Sequence, residues 1–203
     1  MSTGIPPCPL VLKLDLAKAF DQVNWTYLRL ILLQIGIPLK GMNWIMGCIT
    51  SANFVVLING SPSSFFTPSR GIHQGCPISP LLFIVVIEGL SLLINDAKRC
   101  GRIKGIKIVA SLTLTHLLFM DDVVLFGLGT FEDWVSFDVI LETFCHASGM
   151  CISIEKYGFL FNEMDMGVLN NIRHILPYCV KPLHEGFKYL GYFIKPLGYE
   201  VKD

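Results

Sequence analysis

The residues best suited to chemistry are two adjacent aspartates, Asp121 and Asp122, in the middle of an apolar run from Leu117 to Phe126. The aliphatic and aromatic flanks predict two strands that meet at a tight turn carrying both carboxylates. Adjacent carboxylates repel each other, and burying an unpaired charge costs several kcal/mol. A divalent cation such as Mg²⁺ or Mn²⁺ would compensate this charge through hard oxygen ligands. The alternative is a polar hairpin tip exposed to water.

A third carboxylate, Asp15, lies at the end of an apolar strand predicted over Val11 to Leu16. Only tertiary folding can bring it to Asp121, and a position on a neighbouring strand would do so. Carboxylates that converge from separate strands can hold two divalent ions, which together activate a nucleophile and neutralise a leaving group. The aspartates therefore suit two-metal chemistry at a phosphate ester, by transfer or by hydrolysis.

A loop punctuated by glycines, from Ser69 to Ile78, is the other candidate segment. Gly71 and Gly75 would let the backbone approach a base or a phosphate closely. The amide of Gln74 can donate and accept hydrogen bonds to such a ligand. The alternative is a glycine loop shaped only for its turn.

The elements that must position these residues are mixed helices and strands joined by antiparallel hairpins, which predicts an α+β fold. The sequence predicts helices over 24–35, 42–51, 79–99, 130–149 and 165–176, the fourth opened by a capping box of Thr130 and Asp133. Strands are predicted over 11–16, 54–58, 65–68, 114–126 (as a pair), 152–161 and 187–194, with the Asn59-Gly60 turn joining the second and third and Gly191 inside the last.

Composition narrows the possible functions. Hydrophobic residues make up 52% and charged residues 16% of 203 residues, which indicates one domain with a large core or with surfaces that other segments cover. Because no run of about 20 uncharged apolar residues is present, no membrane partner is expected. The net charge of zero does not by itself favour nucleic-acid binding. Seven cysteines without CxxC spacing argue against zinc and disulfides, and the lack of a secretory signal predicts an intracellular location, in cytoplasm or nucleus.

Five segments together resemble the reverse transcriptase domain of non-LTR (LINE-type) retrotransposons, the plant elements in particular. Residues 12–21, 70–80 and 119–122 resemble that family's motifs A, B and C in the family's order. Residues 148–156 resemble motif D, and residues 187–191 resemble the primer grip. The resemblance implies a polymerase palm, an antiparallel sheet packed against helices. The palm core would cover about 10–161 and the primer grip about 187–194, within a single partial domain over 1–203.

The resemblance also implies an RNA-directed DNA polymerase. Its cofactor would be Mg²⁺, with Mn²⁺ as a substitute, and its partners an RNA template, a DNA primer and deoxynucleoside triphosphates. Asp15 and Asp121 would hold both metal ions together with the backbone carbonyl of Leu16, and Asp122 would be a nearby, less direct carboxylate. Lys156 would protonate the leaving pyrophosphate, although an exposed lysine is an equal alternative.

The remaining implied roles concern nucleic acid. Phe20 would exclude a 2′-hydroxyl, or would instead anchor the following helix in the core. The residues implied to contact nucleotide or template are Phe20, Arg70, Gly71, Gln74, Gly75 and Met120. The residues implied to grip the primer are Tyr189, Leu190 and Gly191. Arg70 could equally pair with a surface acid, and Gly191 could mark a β-bulge.

The sequence departs from the family's pattern in several places. The fingers, the thumb and the endonuclease of complete elements are expected to be missing, and Met120 and His73 replace the more common Ala and Arg. Two interpretations follow: a polymerase palm, active alone or in a larger assembly, and an inactive retroelement remnant that keeps the fold and binds metal or nucleic acid weakly. An unrelated two-metal phosphohydrolase would explain the aspartates but not the loop over 70–80.

Overall fold

The structure is a computed structural model that describes residues 9–153, 158–161, 166–175 and 180–195. In chain order its elements are β1 (Pro9–Ala17), α1 (Ala19–Gln22), α2 (Trp25–Gln34), α3 (Leu39–Thr50), β2 (Leu57–Ile58), β3 (Ser61–Pro62), α4 (Ser79–Arg99), β4 (Ile106–Val109), β5 (Leu112–Leu114), β6 (His116–Phe119), β7 (Asp122–Leu128), α5 (Phe131–Ser148), β8 (Cys151–Ile152), β9 (Gly158–Phe161), α6 (Met166–Ile175), β10 (Val180–Pro182), a 3₁₀ turn (Leu183–Glu185), β11 (Phe187–Tyr189) and β12 (Tyr192–Ile194).

The principal sheet has the strand order β10-β9-β1-β7-β6, and β8 also pairs with β1. β1 runs antiparallel to both β7 and β9, β6 runs antiparallel to β7, and β10 runs parallel to β9. Mainly antiparallel pairing with separate helices agrees with the predicted α+β class.

The chain divides into two compact units, which are described separately. The first unit contains Met1–Ala17, Leu90–Thr143 and Ile152–Asp203, and therefore most of the sheet and the aspartates. The second contains Lys18–Gly89 and Phe144–Cys151, and therefore the glycine loop.

One face of the sheet in the first unit is a helix-covered core. Because side chains alternate along a strand, Leu10, Leu12 and Leu14 of β1 all point to this face, and each is fully buried. Gly127 of β7 lies on the same face, where a Cβ atom would come within 3.1 Å of the Trp134 ring of α5. Full burial of each of these leucines contributes roughly 1.5–3 kcal/mol to folding.

The second unit is built on helices α2, α3 and the first part of α4. Asn24 caps α2 as predicted, because its side-chain oxygen accepts hydrogen bonds from the backbone N–H groups of Thr26 and Tyr27. The Tyr27 hydroxyl donates to the carbonyl of Val86 in α4. Burial raises the pKa of Tyr27 to about 12, so this hydroxyl keeps its proton and its donor role.

Helix α4 is long and apolar enough to cross a bilayer, and it is the one such helix among the described residues. Half of the residues in its most apolar 18-residue stretch are buried inside the protein, as in the core helix of a globular domain. The predicted absence of a membrane partner remains a prediction.

Most predicted elements are confirmed, but the partner strand predicted for the first hairpin, 65–68, is wrong. Asn59 and Gly60 both have positive φ angles (50° and 84°), and their two-residue turn pairs Ile58 directly with Ser61. A turn this short requires pairing to resume at once, so the partner strand is Ser61–Pro62. The predicted partner, 65–68, contributes only an isolated bridge at Phe66.

The predicted capping box of α5 is wrong. The Asp133 carboxylate accepts hydrogen bonds from the backbone N–H groups of Lys104 and Leu128, at 3.3 and 3.1 Å. Asp133 is 1% exposed, and the buried Thr130 hydroxyl has no hydrogen-bond partner within the described part of the chain. The aspartate therefore ties the start of the helix to two other segments, which local sequence cannot reveal.

Candidate active site

The structure brings Asp15, Asp121 and Asp122 together at one end of the sheet. In the antiparallel pairing of β1 with β7, Asp15 lies directly opposite Asp122. Asp121 precedes Asp122 in the turn between β6 and β7, and its backbone carbonyl accepts a 3.0 Å hydrogen bond from the N–H of Leu16. Strand pairing therefore places all three acidic residues from distant segments side by side.

The three acidic side chains differ in burial. Asp15 is 9% exposed, Asp122 is half-buried and Asp121 is exposed. Lys13 lies two residues before Asp15, so its side chain points to the same face and reaches Asp122 diagonally across the strands. The Lys13 Nζ atom is 2.8 Å from a carboxylate oxygen of Asp122. The lysine thus compensates the charge of Asp122.

These residues fit an open divalent-metal site. Among the described residues, no three His, Cys, Asp or Glu side chains converge as a closed metal cage would require. Mg²⁺ is usually held by one or two carboxylates, with waters and substrate phosphates completing its shell. The carboxylates of Asp15 and Asp121 suit this, and the Leu16 carbonyl stays a predicted ligand.

Met120 occupies the first position of the turn between β6 and β7. Its φ angle of 51° is left-handed, which costs a residue with a Cβ atom roughly 1 kcal/mol or more. The pairing of Phe119 with Asp122 closes the turn on both sides. The strained Met120 thus fixes the position of Asp121 in the turn. The contact of Met120 with nucleotide or template remains a prediction.

The predicted primer grip is a hairpin rather than one strand. Tyr189 pairs with Tyr192, and both turn residues, Leu190 and Gly191, have positive φ angles (51° and 84°). Gly191 is therefore a turn residue, and the predictions of a strand glycine or a β-bulge are wrong. Apart from its chain neighbours, no atom of the described residues lies within 4 Å of where its Cβ would be. Conformation rather than close approach therefore requires glycine.

This hairpin packs on the sheet face that carries the aspartates. Phe187 and Tyr189 contact a buried cluster of Val11, Val124 and Leu160. Burial, and secondarily the carboxylate of Asp122, raise the pKa of the Tyr189 hydroxyl. The Tyr189 hydroxyl is therefore a protonated hydrogen-bond donor at neutral pH, within electrostatic reach of the acidic end of the sheet.

The glycine loop in the second unit is tightly anchored at Gly71. The φ angle of Gly71 is 90°, and a Cβ atom there would lie 2.8 Å from the backbone oxygen of Asp21. Its N–H donates to the carbonyl of Val23, and its own carbonyl accepts from Nε1 of Trp25 at 2.7 Å. Glycine is therefore structurally required at position 71.

The other predicted contact residues of the second unit are less constrained. Arg70, Gln74 and Gly75 are exposed, and the space around Gly75 is open despite its φ angle of 91°. The ring of Phe20 stacks on Phe83, with centroids 4.6 Å apart, so the predicted helix-anchoring alternative has a packing basis. The role of Phe20 toward a 2′-hydroxyl stays a prediction. Lys156 lies outside the described residues.

The residue that sequence reasoning missed is Lys13. Its spacing of two from Asp15 was a sufficient signal, since strand alternation places both on one face. Nothing local indicated that its partner would be Asp122. The proximity of Tyr189 to Asp122 depended likewise on the hairpin folding back over the sheet.

Comparison with known proteins places this geometry in context. Residues 5–194 match the family described as "Reverse transcriptase (RNA-dependent DNA polymerase)". An uncharacterised mitochondrial protein of Arabidopsis thaliana is 49% identical over 67 residues, which are 32% of this chain and 55% of that protein. A Pol polyprotein from a type-1 R2 retrotransposable element of Popillia japonica is 27% identical over 201 residues, which are 90% of this chain and 26% of that protein.

Solved structures support the palm fold. Apo telomerase from Candida tropicalis, truncated from its C-terminal domain, superposes with a TM-score of 0.56 at 14% identity. The match covers 79% of this chain and 32% of that one. At this identity the likeness concerns the fold alone. It confirms the predicted α+β palm, and the family match confirms the resemblance drawn from the five motifs.

Proposed function

The chain belongs to the reverse transcriptase (RNA-dependent DNA polymerase) family, and on that premise we propose that it is a palm carrying out nucleotidyl transfer to a primer 3′-hydroxyl. The substrates would be an RNA template, a DNA primer and deoxynucleoside triphosphates. The observation that carries the proposal is the pairing of Asp15 with Asp122, with Asp121 in the adjoining turn. The chain spans about half or less of the length of the two relatives described above. Polymerase activity of this chain is therefore itself part of the proposal.

Asp15 and Asp121 would hold Mg²⁺, which, when bound, lowers the pKa of the attacking hydroxyl and neutralises the leaving pyrophosphate. The protein's own residues do the rest. Lys13 neutralises Asp122 and keeps that side chain oriented on the sheet face. The β11–β12 hairpin supports the primer, with the Tyr189 hydroxyl as a protonated donor.

The test is extension of a DNA primer annealed to an RNA template. The native chain should extend the primer with Mg²⁺ or Mn²⁺, and Asp121→Asn should lower the rate at least about a hundredfold by removing one ligand charge without changing shape. Asp96→Asn is the matched control, because Asp96 lies on α4, its side chain is 47% exposed and it pairs with Arg99 and Arg102. It should extend at the native rate.

Two results would contradict the proposal. Undiminished extension by Asp121→Asn would remove that carboxylate from the reaction. No extension by the native chain, shown to be folded by circular dichroism, would favour the inactive remnant that keeps the palm fold.

A further inference from the structure

The charge of this chain is unevenly distributed, because residues 96–107 form a basic segment within a net charge of zero. The segment contains five of the 16 Lys and Arg residues but one of the 16 Asp and Glu residues, so its formal charge is +4 and that of the rest of the chain is −4. Attraction of an anion depends on the local charge of a surface rather than on the total. The five cations of the basic segment are Lys98, Arg99, Arg102, Lys104 and Lys107.

Tertiary contacts fix the backbone of the basic segment. Ile103 is 1% exposed, and a Cβ atom at the buried Gly105 would lie 2.6 Å from the carbonyl oxygen of Leu114. Between these two residues, the N–H of Lys104 donates to the Asp133 carboxylate at 3.3 Å. Because both of its neighbours are buried, the exposed Lys104 side chain is held outward on a rigid backbone.

Three of the cations have local structural roles. Arg99 and Arg102 lie 2.6 and 3.4 Å from the two carboxylate oxygens of Asp96, and Lys98 donates a 2.8 Å hydrogen bond to the carbonyl of Thr113. Lys98 and Arg99 also lie in the last turn of α4, where the helix dipole favours cations. Two arginines that share one aspartate keep a net positive charge, and their planar guanidinium groups suit phosphate oxygens.

Lys104 and Lys107 have no such role. Both are exposed and follow the end of α4, and neither forms an ion pair with a residue in the described part of the chain. A single exposed lysine is an ordinary surface residue, but two of them beside an arginine pair concentrate positive charge that the fold does not use. Their charge is therefore available to an external anion, and such clusters are typical of surfaces that contact nucleic-acid phosphates.

The basic segment lies far from the acidic site. The Asp133 carboxylate that binds the N–H of Lys104 also accepts from the N–H of Leu128, so Lys104 lies beside the last residue of β7. Asp122 begins this seven-residue strand, opposite Asp15. At about 3.3 Å per residue, the two ends of β7 are roughly 20 Å apart. A ligand of the basic segment is therefore held at the opposite end of the strand from the aspartates.

The side chains around these cations select among phosphate-bearing ligands. Residues 98–113 contain no Phe, Tyr, Trp or His. Surfaces that bind single strands stack bases on aromatic rings, and interfacial membrane segments also use Trp or Phe. Base-paired RNA keeps its bases stacked internally and presents its phosphates outward, so it is recognised mainly by shape and backbone. Cations without aromatic rings therefore suit a duplex.

We propose that the basic segment binds the phosphate backbone of a base-paired RNA stem, outside the site where primer and template meet. The choice of RNA rests on the proposed function. Because the contacts are to phosphates, binding is independent of sequence and weakens with salt. The segment would keep a folded part of the RNA attached to the protein while an unpaired part is copied at the other end of β7.

The proposal is tested by fluorescence anisotropy with a labelled, blunt RNA duplex of about 16 base pairs, a length that one duplex-binding domain spans. EDTA is present and deoxynucleotides are absent, which separates binding from catalysis. The double variant Lys104→Gln/Lys107→Gln should lower the slope of log K against log salt by about 1.8, at about 0.9 for each lost phosphate contact. At about 0.1 M salt this corresponds to binding weakened about ten- to a hundredfold.

Two double variants serve as controls. Lys104→Arg/Lys107→Arg keeps both charges and should bind as the native protein does, which a loss caused by altered packing would not predict. Arg29→Gln/Lys40→Gln removes two exposed cations from α2 and α3 and should leave the salt slope unchanged. The melting temperature of each variant shows whether it is folded.

Several outcomes would overturn the proposal even if the native chain extends primers. These are no binding of the duplex by the native chain, an unchanged slope in folded Lys104→Gln/Lys107→Gln, or equal losses in the Arg29→Gln/Lys40→Gln control. Equal loss of binding to a single-stranded RNA of the same length would exclude the preference for a stem. Loss of binding only to vesicles of phosphatidylcholine and phosphatidylserine would assign the segment to a lipid surface instead. A lower slope confined to Lys104→Gln/Lys107→Gln and to the duplex would support the proposal even if no primer is extended.

Discussion

Replacing Lys13 with Met should destabilise the metal-free protein while strengthening its affinity for divalent ions. The lysine forms an ion pair with Asp122 at the acidic end of the sheet. Without it, Asp122 loses that positive charge while it still faces Asp15 across the strands. A divalent ion would then supply what the lysine supplied.

The size of the effect follows from the geometry of the pair. The Nζ–oxygen distance is 2.8 Å, and the two side chains are 21% and 24% exposed. Exposed pairs contribute about 0–1 kcal/mol, and breaking a fully buried pair costs about 3–5 kcal/mol. A loss of about 1–2 kcal/mol is expected, which lowers the melting temperature by about 2–8 °C in a protein of this size. Removing the positive charge should tighten Mn²⁺ binding about tenfold, equivalent to ~1.4 kcal/mol.

Thermal denaturation and a Mn²⁺ titration followed by electron paramagnetic resonance measure both effects without any activity assay. At Mn²⁺ concentrations near a hundred times Kd, the bound ion adds about 2.7 kcal/mol, which should bring Lys13→Met back to the native melting temperature or above it. Lys13→Arg keeps the charge and should behave as native. Lys107→Met, on β4, controls for loss of an exposed lysine. Two results would refute the reasoning. One is a metal-free Lys13→Met with the native melting temperature, and the other is a Kd for Mn²⁺ no lower than that of the native protein.

Three further predictions concern the fold. Gly71→Ala should lower the free energy of unfolding, measured by urea denaturation, by at least about 2 kcal/mol, because the new Cβ would lie 2.8 Å from the backbone oxygen of Asp21. Gly75→Ala, whose Cβ would enter open space, should lower it by about 1 kcal/mol. Equal losses in the two variants would contradict this. Burial, and secondarily Lys98, lower the pKa of His116, so the unfolded chain binds its proton more readily. The free energy of unfolding of the native protein should therefore fall as the pH drops through about 6.5 and below, and it should fall by more than that of His116→Gln. Equal pH dependence of unfolding in the two proteins would exclude His116 as the cause. Leu190→Asn, at a φ angle of 51°, should stabilise by about 0.5–1 kcal/mol, and a lower melting temperature would show that the leucine side chain matters more than its strain.

The sequence was sufficient where local signals and tertiary structure agree. The apolar run around Asp121 and the strand ending near Asp15 predicted both elements of the site, because period-two alternation and turn residues are local properties. The Asn24 cap of α2 was predicted from local sequence in the same way. The limits of α4 followed from Ser79 at its start and Gly101 after its end. These elements position the aspartates, so the acidic site was predictable.

The errors arose where distant segments override local preference. Asp133 is three residues from Thr130, which is the spacing of a capping box. Its carboxylate instead accepts hydrogen bonds from the N–H groups of Lys104 and Leu128. Leu190 gave no turn signal, since leucine rarely adopts a positive φ angle, and so the hairpin was taken for a strand. The β4–β5 hairpin, whose strands form a separate two-stranded sheet, was missed altogether.

The pairing of β1 with β7 also limits how this chain can change length. Deleting one residue of β7 after Asp122, with the rest of the strand kept in register, would move Asp122 to the position of Val123. That position pairs with Leu14 and faces the helix-covered core, because strand side chains alternate in direction. The loss would combine a buried charge with a missing site carboxylate. The β4–β5 hairpin, which already contains a register shift between Lys107 and Val109, sets no side chain of the site. Insertions and deletions should therefore accumulate at that hairpin and be rare in β7.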